Sequence, residues 1–129
     1  MSIKTDRQAL ANVLKTLDPI EGKELKVCDY LPLKAENYLV FIELENIEQG
    51  LTFGHIKITW QVTATASARL NPTQSAIFLD EVTNAIIKKV IETNTADLES
   101  VEPYFVLVDN TNGASIPASR LTFTSLTTI

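Results

Sequence analysis

A chain of 129 residues and 14.3 kDa has the size of one ordinary domain, 1–129, with no linker to divide it and enough length to bury a core. Its 45% apolar and 21% charged residues are the balance of a folded chain, and a formal net charge of -5 sets it against phosphate backbones, so no direct nucleic-acid binding is expected. One cysteine, Cys28, excludes an internal disulfide and reads as a small apolar residue beside a strand.

Thr5 with Gln8 three residues on has the spacing of a capping box. The stripe Ala9, Leu10, Val13, Leu14 and Leu17 follows, with Arg7, Asn12 and Lys15 expected to face water. Asp18-Pro19 ends this helix, because the residue before proline is driven out of helical backbone. The stretch from Glu24 to Tyr30 alternates as a strand, and Leu31-Pro32 breaks it. Tyr38 to Ile42 is apolar on both sides, which predicts a strand covered on both faces and central in its sheet. That strand leaves the core through Glu43-Leu44-Glu45, and Asn46 to Gly50 has turn composition, predicting a hairpin with an acidic outer end.

From His55 to Ala66 the period is two. Ile56, Ile58, Trp60, Val62, Ala64 and Ala66 form the buried face; Lys57, Thr59, Gln61, Thr63 and Thr65 form the other. Asn71, Pro72 and Gln74 then supply a cap, a first-turn proline and a capping-box partner, and Ile77, Leu79, Val82, Ile86 and Val90 recur at helical spacing to about Thr93. Asn94 to Glu99 reads as a helix exit. Tyr104 to Val108 is an apolar strand, Asp109-Asn110-Thr111-Asn112-Gly113 a hairpin turn, and the last strand lies within Ser119 to Leu126, suited to a sheet edge or a subunit contact. The order α-β-β-β-α-β-β predicts an α+β fold: one mostly antiparallel or mixed sheet of about five strands, packed by one long helix and an N-terminal helix.

No residue set marks an active site. His55 is the single histidine, with no second one to complete a metal site of the usual kind and no evident partner to orient it as a base. Asp80 and Glu81 read as a solvated helix face; acid–base work would require Glu43 and Glu45 to be brought near. The 109–113 segment fails as a calcium loop, since Val108 would hold the first ligand position and Ser119 the last. The four glycines form no phosphate-cradling loop, so no cofactor is expected. The Met1 to Asp6 start has no apolar core, so no secretory signal is read, and no apolar run is long enough to span a membrane.

The helix opening Thr5-Asp6-Arg7-Gln8-Ala9-Leu10, the strand into Asp29-Tyr30-Leu31-Pro32, the apolar strand at Leu39 to Ile42, the long strand with Ile58-Thr59-Trp60-Gln61-Val62, the single long helix and the two final strands together resemble the small tail-terminator (tail-completion) proteins of long-tailed bacteriophages. The resemblance runs from about residue 5 to 126 and lies in element order and length. It implies a structural virion protein with no reaction to catalyse, made in the host cytoplasm and placed at the head-proximal end of the tail. Such a protein forms a homo-oligomeric ring, a hexamer, on the last ring of tail-tube protein. The ring ends tube polymerisation and offers a surface to the head-completion or neck protein. On that reading Glu43, Glu45, Glu48 and Gln49 on the hairpin, and Asn110 and Asn112 on the last turn, are the partner-binding candidates. A head-completion, neck or other tail protein is the alternative; a small enzyme or ligand-binding domain using the helix–sheet crevice beside Asp80 is a more remote one. Trp60 is assigned to the core, so Trp60→Ala is expected to cost about 3–5 kcal/mol in urea unfolding.

Overall fold

The computed structural model describes residues 2–108, 113 and 115–128. The fold is α+β, in the order expected: α1 (Ile3–Leu14), β1 (Lys26–Cys28), β2 (Leu39–Gln49), β3 (His55–Thr65), α2 (Pro72–Glu92), β4 (Asp97–Val108) and β5 (Ser115–Thr128). The five strands form one mixed sheet in the order β1-β2-β3-β5-β4. Only β1 and β2 are parallel; every other pair is antiparallel.

The helix α2 begins as its sequence dictates. Asn71 accepts from the Gln74 amide at 2.8 Å, Gln74 Oε1 accepts from the Asn71 amide at 3.2 Å, and Pro72 fills the first turn. Its inward stripe is Phe78, Leu79, Val82, Ile86 and Val90. Ile77 stands half-exposed, because Phe78, one position on, points at the sheet and stacks edge-on with Tyr38 at 5.1 Å. The sheet answers with Val40, Ile42, Ile58, Trp60, Val62, Leu121 and Phe123, all fully buried on the helix side. A hydroxyl pair, Thr83 and Ser119 at 2.9 Å, ties α2 to β5.

The β3 strand alternates as expected, yet its second face is not simply wet. Thr63 and Thr65 are fully buried, as are Leu39 and Ala118, with Phe41 and Ile116 nearly so. By register, all of them share the face away from the helices. The chain returning from β1 to β2 covers part of this face: Thr65 Oγ1 donates to the Glu36 carbonyl at 2.8 Å and accepts from the Leu39 amide at 2.8 Å. Arg120 lies over the Phe105 ring at 4.4 Å on the same face. Threonine makes both roles possible, since its methyl packs while its hydroxyl satisfies the backbone.

Four other expectations are corrected. Ser2, rather than Thr5, caps α1. Asn46 to Gln49 belongs to β2, and the turn falls at Gly50 to Gly54. Gly54 there takes φ +84°, and a side chain at Gly50 would press on His55 at 3.2 Å. The fourth strand starts at Asp97 and forms a sheet edge, where Pro103 costs no ladder bond. The last strand runs Ser115–Thr128 and sits inside the sheet between β3 and β4 instead of at its edge.

Arg7 carries the largest correction. It is 9% exposed, held under Tyr30 (4.1 Å to the ring centre) and against Trp60 (5.2 Å). Its Nη1 donates to the carbonyls of Asp29 at 2.8 Å and Ile42 at 3.1 Å. Arg7→Ala is expected to cost about 3 kcal/mol in urea unfolding, from lost charge-assisted hydrogen bonds and ring contacts. Arg7→Lys should recover less than half of it, because a point charge cannot bridge two carbonyls and stack at once.

Candidate functional site

β1 pairs with β2 only from Leu39 to Phe41, so from Glu43 onward the outer edge of β2 meets no strand among the described residues. A bulge at Glu45 resets the register between Leu44 and Asn46. Before it Leu44 faces the helices, opposite Trp60; after it Ile47 does, opposite Ile58. Glu43 and Glu48 therefore share the other face, where Glu48 pairs with Lys57 at 3.6 Å, while Glu45 projects from the bulge itself. Glu45, Glu48 and Gln49 are exposed and Glu43 is half-buried. Four of the six expected partner-binding residues thus lie together on one strand whose outer edge is unpaired among the described residues; Asn110 and Asn112 lie outside the described residues. β4 ends at Val108 and β5 begins at Ser115, both at the end of the sheet opposite the β2–β3 turn.

The turn itself carries what the sequence reading overlooked. Leu51 and Phe53 are fully exposed, 108% and 94%, between Gly50 and Gly54. Two hydrogen bonds hold the turn, Gly50 amide to His55 carbonyl at 2.9 Å and His55 amide to Thr52 carbonyl at 3.2 Å. Two large apolar side chains between glycines in an acidic hairpin were the available signal. Beside them a cleft of about 610 Å³ is lined by Glu48, Thr52, His55, Lys57, Asp97 and Leu126. His55 Nδ1 is buried there without a partner among the described residues.

At the far end, a second hollow of about 440 Å³ lies between the first turns of α2 and the last third of β4. Leu70, Pro72, Ala76, Leu79, Tyr104 and Val106 line it, with Ser75 Oγ buried and unpartnered among the described residues. The outer edge of β4 meets no strand among those residues. The hollow is apolar, and hydrophobic periodicity alone could not reveal it because α2 and β4 meet only in three dimensions.

Carboxylates are not gathered for chemistry. Asp80 accepts from the Tyr104 hydroxyl, which holds that phenol above its ordinary pKa. Glu43 and Glu45 stand on β2, across the sheet from β4 and Tyr104, so the second acidic cluster is not brought to Asp80. Among the described residues no group of three or more His, Cys, Asp or Glu stands close enough to hold a metal, and no helix is long and apolar enough to cross a membrane.

Glu81, on α2, shares a hydrogen bond with Glu21; this, with slight desolvation and the Glu21 charge, raises its pKa. A raised carboxyl pKa favours folding while the proton is shared, and that contribution fades as pH rises through the folded value. In a carbon-detected NMR titration Glu81 is expected to titrate above an ordinary glutamate, and Glu21→Gln to bring it back down. Scans against protein-family models and against the curated proteins find no match for this chain.

Proposed function

We propose that this chain is a structural virion protein of a long-tailed bacteriophage: a tail terminator whose ring caps the tail tube, stops its polymerisation and receives the head-completion or neck protein. One observation carries the reading. The unpaired acidic edge of β2 and the strand ends Val108 of β4 and Ser115 of β5 lie toward opposite ends of a single sheet, so each subunit offers different surfaces to two different neighbours. A closed ring inserted between tube and neck needs that polarity, and it also needs heterologous contacts between its own copies. The element order, shared with the resemblance described above, supports the same reading.

A head-completion or neck role would use the same two ends and differ only in which assembly each end meets. No reaction is assigned, and the residues put to use are the exposed Glu45, Glu48 and Gln49 of β2 with half-buried Glu43.

Size exclusion with light scattering, run over a concentration series, is expected to show a species near 85.8 kDa, six copies of 14.3 kDa, seen as rings in negative stain. Added to polymerising tail-tube protein, the ring should halt elongation and sit at one end of the tubes. Glu45→Lys with Glu48→Lys should weaken that capping at least tenfold. Tubes that elongate unchecked, with no protein at either end, would overturn the terminator reading.

A further inference from the structure

We propose that the β2–β3 turn of one copy seats Leu51 and Phe53 in the α2–β4 hollow of the next, making a head-to-tail contact between subunits. The proposal rests on the assembly reading above and deepens it by naming the contact.

The turn presents two fully exposed large apolar side chains, held on a hydrogen-bonded hairpin rather than on a loose loop. Such a pair gains nothing from water and gains most from an apolar hollow. The hollow between α2 and β4 is lined mainly by apolar groups and holds about 440 Å³. A copy cannot fill its own hollow. The turn sits beside Thr127 and Thr128 of β5, the hollow beside Pro117, and β3 between them runs 11 residues, roughly 35 Å at strand rise.

Charge fits the same pairing. Arg69, next in sequence to Leu70 of the hollow, is exposed and forms no ion pair among the described residues. The turn is flanked by Asp97, which forms no ion pair among the described residues, while Glu48 beside it is paired with Lys57. The competing contact, β2 edge against β4 edge, sets Glu43, Glu45 and Glu48 against Asp97, Glu99 and Glu102 and is opposed by like charge. Two seated side chains cover only part of the ~800 Å² per partner of a standard interface, so a single contact is weak and closure of the ring multiplies it. With only the turn seated, the carboxylates of β2 stay outside for the neighbouring assembly.

The test uses the full chain and two variants that spare the core: Leu51→Ser with Phe53→Ser, and Ala76→Arg, the last a good helix former on a half-buried position. Wild type is expected to gain mass with concentration, while each variant alone stays at 14.3 kDa with an unchanged far-ultraviolet spectrum. A one-to-one mixture of the two retains one good turn and one good hollow, so it should stop at a dimer of 28.6 kDa, two copies of 14.3 kDa. A photo-crosslinker placed at Phe53 should join residues 70–79 or 104–106 of another copy. Variants that assemble like wild type, a mixture that stays monomeric while wild type assembles, or crosslinks that fall on residues 97–102 of β4 or elsewhere outside the hollow each overturn the contact. A wild type that stays monomeric at every concentration overturns it too, and the tube-capping assay then judges the terminator reading by itself.

Discussion

The Arg7 guanidinium is the constraint from which the arrangement of the sheet follows. A buried cation must be compensated, and among the described residues no carboxylate does it; two backbone carbonyls and two aromatic faces do. The carbonyls belong to Asp29, just past the end of β1, and Ile42, at the point where β2 loses its parallel neighbour. One side chain therefore occupies the acceptors that a longer β1 would need. Trp60, beneath it, donates from Nε1 to Ser125 at 3.0 Å and passes the linkage from α1 through β3 to β5. The helix, β2, β3 and the start of the β1–β2 connection meet at that charge, and beyond it β2 runs on beside β3 with its outer edge unpaired among the described residues.

Much of this architecture was legible where the signal is local. The α2 cap needs only Asn71, Pro72 and Gln74, and the β3 alternation needs only its own 11 residues, so both are legible in the sequence. Arg7 was read wrongly because its polarity argues for water, whereas the acceptors that bury it lie 22 and 35 residues away. Thr63 and Thr65 misled for a related reason: a threonine looks polar in a pattern, but its burial depends on what crosses the sheet above it. Turn composition at Asn46 to Gly50 lost to cross-strand pairing, since Asn46 to Gln49 found partners from Thr59 to Ile56.

The expected partner surface was half legible. A cluster of glutamates in one hairpin is visible in any reading of the chain, and the fold does place Glu43, Glu45 and Glu48 on one strand. The bulge at Glu45, which sends neighbouring carboxylates in different directions, is a property of the pair of strands and has no signature in either alone. The hollow beside α2 belongs to the same class of hidden feature. Its walls come from residues 70–79, 104–106 and Pro117, and the sheet edge that makes it accessible exists only because β5 inserts between β3 and β4.

The single tryptophan has a use that its packing role does not suggest. Its indole touches the guanidinium of α1 on one side and is tied to Ser125 on the other, far from the 440 Å³ hollow. Its emission is thus an internal optical gauge of whether the N-terminal helix is docked. Events at the hollow should leave the signal quiet, so the integrity of each subunit can be followed spectroscopically while the protein is engaged in larger structures.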